Sequence, residues 1–496
     1  MSSTNKRETW GVSKLRLAFP KQPAMQFKDL SFHYNPGEKI LLLGPSGCGK
    51  STLLQVLSGL IPESVPMPVK AEKQQVPPNW GFIFQDPESQ FCMPYADEDL
   101  AFVLENRQIA RSQMPERIDH YLNLTGLHFS DPHQLIHKFS GGMKQRLAIA
   151  GVLALEADVL FLDEPTALLD SEGTQAFWRT IQRIQADRTL IIVEHKIEQV
   201  IDFVDRIVLF NPDGEIIADG ARDQVLEQHK KELILYGIWY PGAWADFIKK
   251  QPQSIRSPQK AQQLLALDHF EVKRNGQIKC SVDHLTVNEG EWVAITGKNG
   301  AGKSTLIEGL IGLLKSKGKL HWSLEQPTEE IAFVFQNPEF QFVTDRVDDE
   351  LAFGLRLRKI DPLSIKERVE KALKRFSLEH VRDHHPYQLS VGQKRRLSVA
   401  TALIERPKVL ILDEPTFGQD AQNTFRLVRL FLELQQQGTT VLMVTHEQEI
   451  VRHFATRVLT ISHGKLIADR RRIADEDREG GGQDADWNSE DTNMVF

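Results

Sequence analysis

Short apolar runs recur along the chain, and each one ends at a glycine-rich, acidic or histidine-bearing segment. Residues 40–43 (ILLL) lead into Gly44 and residues 293–296 (VAIT) lead into Gly297, and helix-compatible sequence follows both loops. Later runs are VLFLDE, VLILDE, TLIIVEH and TVLMVTH. Uninterrupted runs of about four to eight apolar residues are typical of buried strands. Because these strands alternate with helices, the pattern predicts α/β layers around a mostly parallel sheet.

Five motifs occur twice in the same order, at an offset of about 250 residues. The pairs are GPSGCGKST (44–52) and GKNGAGKST (297–305), FQDPESQF (84–91) and FQNPEFQF (335–342), FSGGMKQRL (139–147) and LSVGQKRRL (389–397), LFLDEPT (160–166) and LILDEPT (410–416), and VEH ending at His195 and VTH ending at His446. A repeated order at a near-constant offset predicts a duplicated unit.

A Pro-, Gln- and Ser-rich stretch separates the two copies. We predict a first domain over residues 12–248, a linker over 249–262 and a second domain over 263–472. Residues 473–496 are acidic and glycine-rich, which predicts a disordered tail. The segments about 95–155 and 345–405 are predicted to be mainly helical. Trp239, Tyr240 and Trp244 are predicted to pack under the end of the first domain.

Composition narrows the possible functions. The 496 residues carry 60 Lys and Arg against 67 Asp and Glu, and this net charge of −7 argues against a dedicated binder of nucleic-acid backbone. Three scattered cysteines predict neither a disulfide framework nor a metal cluster. No apolar run approaches the ~18 residues of a membrane span, and the N-terminus lacks a secretory signal, so we expect any membrane role to come through a partner.

The pattern GxxxxGK[ST], present in both copies, predicts a phosphate-binding loop. Its glycines let successive backbone N–H groups converge on phosphate oxygens, and the following helix adds a favourable dipole. Lys50 and Lys303 are predicted to reach the β- and γ-phosphates, and Ser51 and Ser304 to face Mg²⁺. The other predicted nucleotide-binding residues of the loops are Gly44, Ser46, Gly47, Gly49, Thr52, Gly297, Asn299, Gly300, Gly302 and Thr305.

Acidic and imidazole side chains end the remaining predicted strands. The aspartate of each DEPT sequence is predicted to hold Mg²⁺, and the adjacent glutamate to polarise an attacking water. The strand-ending histidines are predicted to contact a γ-phosphate. A solvated strand end is the simpler interpretation of any one of these residues, but their duplication favours catalysis. The predicted catalytic residues are Glu164, His195, Glu414 and His446, and the predicted metal-binding acids are Asp163 and Asp413.

On these motifs each half resembles the nucleotide-binding domain of an ABC ATPase, over about residues 12–225 and 262–470. The resemblance implies an α/β fold with two tandem P-loop ABC ATPase domains, each a RecA-like α/β core with a helical subdomain. FSGGM and LSVGQ stand at the signature position. Gln85 and Gln336 stand at the Q-loop position, which in this family touches Mg²⁺ and couples to the transmembrane partner.

Two further family positions, the D-loop and the adenine-stacking aromatic residue, have candidates in this sequence. Asp170 and Asp420 match the D-loop of the family. An aromatic residue of the family stacks on adenine, and Phe19 is the candidate in the first half. In the second half, Phe270 and Val272 are the alternatives.

The family implies head-to-tail pairing of the two halves, and fusion raises the effective concentration of one half around the other. Site one would combine the first loop with Ser390 and Gly392, and site two the second loop with Ser140 and Gly142. Both keep every hydrolytic residue, so we predict that both bind ATP and Mg²⁺ and turn over. Val391 replaces a signature glycine. Because a β-branched residue tolerates positive φ poorly and crowds the backbone, site one is predicted to be the weaker.

The segments after the two Q-loop glutamines resemble the energy-coupling ATPases of ECF-type vitamin and metal importers. They read FQNPEFQFVTDRVDDELAFGL (335–355) and, less closely, FQDPESQFCMPYADEDLAFVLEN (84–106). In that group this segment lines a groove for the coupling helices of the transmembrane scaffold subunit, where its acids meet arginines. The matching acids are Asp97, Glu98, Asp99, Asp348, Asp349 and Glu350. A solvated acidic helix start, favoured by the macrodipole, is the simpler alternative.

A single chain with both halves also resembles the fused subunit of hydroxymethylpyrimidine/thiamine importers. The resemblance implies a peripheral ATPase at the cytoplasmic face of the cell membrane, partnered by a transmembrane scaffold subunit and a substrate-binding membrane subunit, without direct nucleic-acid contact. The alternatives are the fused ATPase of a sugar importer and a ribosome-associated ABC translation factor, which would carry a long, charged, helical linker. A DNA-repair ABC ATPase would carry zinc-binding cysteine clusters.

Overall fold

The computed structural model describes residues 9–20, 25–167, 169, 171–251 and 262–472. These residues divide into two compact units. The first unit holds the chain up to Ala243 together with Asp420–Gln422, and the second holds Trp244–Gln419 and the chain from Asn423 onward. The predicted acidic tail, most of the predicted linker and Asp170 lie outside the described residues. The linker boundary therefore stays a prediction.

The first unit contains ten strands and eight α-helices among its described residues. Its strands are β1 (Trp10–Ala18), β2 (Met25–Tyr34), β3 (Lys39–Leu43), β4 (Val69–Lys70), β5 (Lys73–Gln75), β6 (Trp80–Ile83), β7 (Val159–Asp163), β8 (Thr189–Val193), β9 (Arg206–Phe210) and β10 (Ile216–Ala221). Its helices are α1 (Lys50–Leu57), α2 (Leu60–Glu63), α3 (Ala96–Asn106), α4 (Met114–Leu124), α5 (Gly141–Ala154), α6 (Ser171–Ile184), α7 (Arg222–Gln228) and α8 (Lys230–Leu235).

Two sheets organise the first unit. A small antiparallel sheet pairs β1 with β2, β4 and β5. The larger sheet has the order β10-β9-β3-β8-β7-β6, and all its pairs are parallel except the edge pair of β10 with β9. β7 and β8 are buried at every residue, as expected for a parallel sheet covered on both faces. The carboxyl ends of β3, β7 and β8 therefore meet at one edge, where the candidate site lies.

The second unit repeats this plan. Its strands are β11 (Gln263–Arg274), β12 (Gln277–Asn288), β13 (Trp292–Thr296), β14 (Ser316–Trp322), β15 (Ile331–Val334), β16 (Val409–Asp413), β17 (Thr440–Val444), β18 (Arg457–Ser462) and β19 (Lys465–Arg471). Its helices are α9 (Ala243–Ile248), α10 (Lys303–Leu310), α11 (Pro327–Glu330), α12 (Val347–Leu357), α13 (Pro362–Arg375), α14 (Val391–Leu403), α15 (Ala421–Gln436) and α16 (Gln448–His453). The first residue of α9 and the first two residues of α15 fall in the first unit.

The strands of the second unit form one sheet of order β14-β11-β12-β19-β18-β13-β17-β16-β15. The antiparallel part, β14-β11-β12, joins the rest through a parallel pair at Ser281 and Lys465. β13, β15, β16, β17 and β18 pair in parallel. The segments predicted to be helical contain α3 to α5 and α12 to α14, so the predicted fold class is confirmed. None of the described helices has the length and apolar composition needed to cross a membrane.

Helix α9 changes one expectation. Phe247 stacks on Phe425 with ring centroids 4.3 Å apart, and Trp244 meets the same ring edge-on at 5.0 Å. These residues belong to the second unit. Trp244 therefore packs in the second unit and not under the end of the first domain, because its ring partners lie on α15 and beside α16.

Candidate functional site

Each phosphate loop runs from the end of a central strand, β3 or β13, to the start of α1 or α10. Gly49 and Gly302 cap these helices with left-handed φ values of 103° and 107°. A Cβ at Gly49 would lie 2.7 Å from the ring of Phe27, and one at Gly302 would lie 2.7 Å from a backbone carbonyl oxygen. Gly47 and Gly300 face open space. This open surface lined by glycine backbone fits a phosphate group.

The lysines of both loops are buried at the loop itself. Lys50 Nζ donates to the carbonyl oxygens of Gly44 at 2.7 Å and Pro45 at 3.0 Å. Lys303 makes the matching bonds to the first two carbonyls of its own loop, at 2.7 and 3.1 Å. Each ammonium is thus held where phosphate oxygens would arrive, and a charge-assisted bond to phosphate is stronger than one to a neutral carbonyl.

Buried carboxylates stand beside the loop serines. Ser51 Oγ donates to Asp163 Oδ1 at 2.7 Å, and burial raises the pKa of Asp163 to about 6. Burial also raises the pKa of Asp413, which hydrogen-bonds Ser304. Asp413 Oδ1 is buried without a hydrogen-bond partner among the described residues. Hydroxyl and carboxylate oxygens are the ligands that Mg²⁺ prefers, so this donor set fits that ion.

In the first copy, the two carboxylate oxygens of Glu164 contact His195 and Gln85, which are both predicted site residues. Its Oε1 lies 2.9 Å from His195 Nε2, and its Oε2 accepts from Gln85 Nε2 at 3.1 Å. Burial acts to raise the pKa of Glu164, but the hydrogen bond and charge of His195 outweigh it and lower that pKa. Burial acts to lower the pKa of His195, but Glu164 raises it. Glu164 is therefore kept as a carboxylate, the form that can accept a proton from water.

In the second copy, His446 joins the glutamate to the phosphate loop. His446 Nε2 lies 3.2 Å from Glu414 Oε1, 3.1 Å from Lys303 Nζ and 3.2 Å from Asn299 Oδ1. The structure thus brings together the predicted catalytic pair and two predicted loop residues. The same elements position them, since Glu414 follows β16 and His446 follows β17.

Both glutamates have a backbone conformation that the sequence does not reveal. The φ angles are 46° at Glu164 and 48° at Glu414, in the left-handed region. The N–H of Glu164 donates to the carbonyl of Val193 at 2.9 Å, and the N–H of Glu414 donates to that of Val444 at 3.0 Å. These bonds to the neighbouring strands hold a conformation that costs ~1–3 kcal/mol, a kind of strain that clusters at active sites.

The signature segments begin helices α5 and α14. Ser140 Oγ accepts from the N–H of Met143 at 3.3 Å, whereas Ser390 and Gln393 form a complete capping box. The described hydrogen bonds of both serines stay within their own helix start. Val391 is 64% exposed and has a helical backbone as the first residue of α14. The predicted difficulty with positive φ is therefore wrong, and only the bulk of this side chain remains.

The signature glycines Gly142 and Gly392 lie in the first turns of α5 and α14. A Cβ at Gly142 would meet its nearest atom at 3.8 Å, whereas one at Gly392 would lie 3.3 Å from the Asn423 side chain. Pairing of these glycines with the opposite phosphate loop stays a prediction.

Sequence reasoning missed Glu194, which precedes His195. Its carboxylate accepts from Thr166 Oγ1 at 2.8 Å and from the N–H of His195 at 2.9 Å. Burial raises the pKa of Glu194 to about 7. Thr445 occupies this position in the second copy. Comparing VEH with VTH was the signal that could have found it.

Sequence reasoning also missed Arg395, on the signature helix of the second copy. It is 4% exposed and donates to the carbonyls of Phe335 at 2.7 Å and Gln336 at 2.6 Å. Burial lowers the pKa of Arg395 to about 10. In the first copy Gln145 makes a single 3.5 Å bond to the carbonyl of Gln85. The Q-loop is therefore tied to the signature helix more firmly in the second copy.

The three candidates for adenine stacking differ in exposure. Phe270 and Val272 are 1% and 0% exposed and belong to the hydrophobic core of the second unit. Neither can offer a ring or side-chain face to a nucleotide, so this expectation is wrong for both. Phe19 is partly exposed and stays a prediction.

Two of the six predicted docking acids point inward. Asp99 Oδ1 accepts from the backbone N–H groups of Cys92 at 2.8 Å and Met93 at 3.1 Å. Glu350 Oε2 accepts from two backbone N–H groups of the matching loop, at 3.0 and 2.8 Å. Both carboxylates are buried. They hold the loop after the Q-loop in place, so the docking interpretation does not apply to them.

Comparison with known proteins agrees with this geometry. The family model for the ABC transporter matches residues 27–167 and 281–417. The chain is 34% identical over 501 residues to the HMP/thiamine import ATP-binding protein YkoD of Bacillus subtilis (strain 168), a role that its name marks as provisional. The match covers 92% of this chain and 90% of that relative.

Two solved structures are also similar. CbiO1 from Clostridium perfringens, part of the ABC transporter complex CbiONQ, is 31% identical with a TM-score of 0.38, covering 43% of this chain and 89% of that chain. A chain in the complex of archaeal ribosomal stalk protein aP1 and archaeal ribosome recycling factor aABCE1 is 20% identical with a TM-score of 0.59, covering 87% and 84%. The latter likeness shows the fold alone. By its family match, its full-length relative and its duplicated site, this chain belongs to the ABC transporter family and is an ATPase with two ATP-binding domains.

Proposed function

We propose that this chain is the energy-coupling ATPase of an ECF-type importer. In this proposal it lies at the cytoplasmic face of the cell membrane, bound to a transmembrane scaffold subunit that works with a substrate-binding membrane subunit. The proposed substrate is a vitamin or vitamin precursor, of the kind named for the Bacillus subtilis relative. The observation that carries the proposal is an exposed surface directly after the Q-loop of the second half.

This surface, which we call the docking face, consists of Phe340, Val343, Phe353 and Leu357. Their exposed fractions are 74%, 63%, 39% and 69%. Phe353 and Leu357 are four residues apart on α12 and therefore share one side of that helix. We infer that these four exposed side chains, which belong to one segment of the chain, form a single apolar patch, a feature typical of an interaction site. An amphipathic coupling helix of a membrane subunit fits such a face.

Charged groups lie on the same helix. Asp348 pairs with Arg346 at 2.9 Å, and Asp349 pairs with Arg356 at 2.8 Å. An arginine on a coupling helix would join or replace these intramolecular partners. Exchange of one ion pair for another adds little affinity but sets the register of docking, so we assign the binding energy to the apolar side chains.

The first half presents a more polar version of this face. Ser89, Cys92, Phe102 and Asn106 occupy the positions that match the docking face in the repeated motifs. Phe102 is 36% exposed. Beside it, Asp97 pairs with His133 at 3.1 Å and Glu98 is exposed. We therefore propose that the two halves bind different segments of the scaffold subunit, and that the second half binds the more apolar one.

Hydrolysis at either loop would divide its work among the residues described above. The lysine would bind the β- and γ-phosphates, the glutamate would orient and deprotonate water, and the histidine would hold the glutamate in position. The residues that would hold Mg²⁺ are Ser51, Gln85, Asp163, Ser304, Gln336 and Asp413. When bound, Mg²⁺ would neutralise charge on the phosphates.

The proposal is tested by purifying the chain from mildly detergent-solubilised cells and identifying what is bound. Small polytopic membrane proteins in stoichiometric amount are expected. Ribosomal proteins without any membrane subunit would overturn the transporter role and leave the ATPase chemistry intact. Uptake of labelled thiamine and hydroxymethylpyrimidine by cells with and without the chain then tests the substrate class.

A swap of docking-face residues sharpens this test. Phe340→Ser with Leu357→Asn introduces the residues of the first half. We expect the membrane proteins to be lost from the purified complex while ATP binding is retained. Ile278→Ser is the matched control, since Ile278 is 50% exposed on β12. Undiminished recovery of membrane proteins with the double variant would place the contact elsewhere.

A further inference from the structure

In the antiparallel part of the second unit, two histidines and a lysine lie around Asp268. In the register of the sheet, Asp268 on β11 lies directly opposite His284 on β12 and Lys319 on β14. Asp268 Oδ1 lies 3.1 Å from His284 Nδ1, and Asp268 Oδ2 lies 3.1 Å from Lys319 Nζ. The two oxygens of one carboxylate therefore face different partners.

His269 reaches the same group because the strand is bulged. Strict alternation would place His269 on the opposite face of the sheet from Asp268. However, His269 has a φ of 46°, and the pairing of β11 with β14 shifts register just after Asp268. A bulge of this kind re-aims a side chain. His269 Nε2 lies 3.9 Å from Asp268 Oδ1, and its ring centroid is 5.2 Å from that of His284.

A glycine on the neighbouring strand makes room for the bulge. A Cβ at Gly318 would lie 2.0 Å from the carbonyl oxygen of His269. Gly318 itself has a φ of 89°, which glycine adopts readily. The bulge that directs His269 toward Asp268 is therefore accommodated by the backbone of both strands.

We propose that Asp268, His269 and His284 form a binding site for a first-row transition metal ion such as Zn²⁺, separate from the two ATP sites. Their ligand atoms all lie within 4.8 Å of one another. Ligands at ~2.0–2.1 Å from a tetrahedral Zn²⁺ are ~3.3 Å apart, and the observed 3.1 and 3.9 Å bracket that spacing. Two imidazoles and a carboxylate suit Zn²⁺, Ni²⁺ or Cu²⁺ better than Mg²⁺ or Ca²⁺.

Exposure and charge define what kind of site this is. Both histidine side chains are 73% exposed, so water or an external ligand can complete the coordination. Lys319 binds the other carboxylate oxygen and lowers the pKa of Asp268, which keeps it ionised. Such a partner orients a ligand, but its positive charge also opposes a bound cation. Removing that charge should tighten metal binding.

The first half has the backbone feature without the ligands. On β1, Lys14 has a φ of 48°, close to that of His269. Its ammonium pairs with Glu72 at 2.9 Å. A positive charge at that position repels a metal ion. Within the part of the chain that the structure describes, the proposed site therefore has no counterpart in the first half.

Binding of Zn²⁺ alone to the full chain tests the inference. The protein is prepared without a histidine tag, treated with a chelator and freed of nucleotide, and Zn²⁺ is titrated against a colorimetric chelator. His269→Ala and His284→Ala are each expected to weaken one site at least ~10-fold, since even outer-shell changes cost that much. Lys319→Met is expected to strengthen the same site. His120→Ala, which removes an exposed histidine of α4, is the control and should change nothing.

The opposing result is equally clear. If His269→Ala and His284→Ala bind Zn²⁺ with unchanged stoichiometry and affinity, the ion belongs to other groups and the inference is wrong. Visible absorption of Co²⁺ provides a second readout, because a low-symmetry nitrogen and oxygen site should give bands that both variants lose. Unchanged melting temperatures would show that the variants fold. None of these readouts depends on the proposed transport function.

Discussion

Glu164 and Glu414 each follow a buried strand and each lie beside a histidine, but their other neighbours differ. Glu164 is held between His195 and Gln85. Glu414 is held by His446, which also contacts the phosphate loop. In both copies the carboxylate is buried or nearly so, and an imidazole nitrogen lies within 2.9 to 3.2 Å of one of its oxygens. A largely buried carboxylate beside an imidazole can act as a base without being exposed to bulk water.

Replacing these glutamates one at a time ranks the two ATP sites. Glu414→Gln is expected to lower ATP turnover more than Glu164→Gln, because Val391 is predicted to crowd site one, to which Glu164 is assigned by the family resemblance. At its own site each change should remove ~10²-fold or more of the rate, the usual contribution of a general base. Steady-state phosphate release measures the ranking, and ATP binding should persist in both variants. A larger loss with Glu164→Gln would contradict the assignment.

Glu194 is expected to make stability depend on pH. Its folded-state pKa of about 7 exceeds the ordinary value of 4.5, so the folded chain binds more protons than the unfolded chain between these values. Stability should therefore fall as pH rises from about 4.5 to about 7, by up to ~3 kcal/mol, and then level off. The groups that face this carboxylate are Thr166, His195 and, at longer range, Glu164.

Glu194→Gln imitates the protonated acid and should remove this dependence. Its melting temperature is expected to exceed that of the parent at pH 8 and to match it at pH 4, below both pKa values. Glu227→Gln, an exposed change on α7, controls for the loss of one negative charge. A variant whose melting temperature differs from the parent equally at both pH values would show that the side chain acts through packing instead.

At the scale of elements, the two signature helices differ at their first turn. α14 has a capping box in which the Gln393 side chain accepts from the N–H of Ser390 at 2.9 Å. Met143 occupies that position on α5, and its thioether sulfur is only a weak acceptor in place of the amide oxygen of glutamine. α5 therefore begins with one cap bond where α14 has two.

This difference predicts opposite effects of two exchanges. Met143→Gln should stabilise the chain by ~0.5–1 kcal/mol and Gln393→Met should destabilise it by a similar amount, because each changes one capping bond. Thermal melting of both variants measures the pair. Equal signs for the two changes would show that side-chain packing outweighs capping at this turn.

Much of each site could be predicted from apolar runs, because parallel strands end at one edge and bring Asp163 and His195 beside the phosphate loop. The left-handed backbone at Glu164 could not, since it depends on a hydrogen bond to the adjacent strand. Nor could sequence show which of three consecutive acids turns inward at Asp99. The prediction that Trp244 packs under the first domain is wrong, because a cluster of aromatic residues in the sequence does not show which ring each residue will contact.

At the scale of the whole molecule, a duplicated fold carries two sites that have diverged. Arg395 and Gln145 occupy the same position, yet only the arginine grips two Q-loop carbonyls. The docking face is apolar in the second half and more polar in the first. These differences lie around residues whose local geometry is nearly the same in both copies.

The head-to-tail pairing that the family resemblance implies predicts which variants act on the same site. Ser390→Arg and Glu164→Gln should both inactivate site one and leave site two intact. The double variant should therefore retain the turnover of either single variant. Ser390→Arg with Glu414→Gln should strike both sites and reduce ATP hydrolysis to near zero. Such non-additivity is the standard sign that two residues act together. The reverse pattern of double variants would mean that each half completes its own site.

The left-handed backbone at Glu164 and Glu414 has a consequence for laboratory evolution of this protein. Glycine adopts that conformation without strain, whereas glutamate does so only under the hold of a neighbouring strand. A library screened for survival at high temperature alone would therefore enrich glycine at these two positions and yield durable chains that no longer hydrolyse ATP. A useful selection must reward ATP hydrolysis and heat resistance together, because the two glutamates that serve hydrolysis are also the positions of backbone strain.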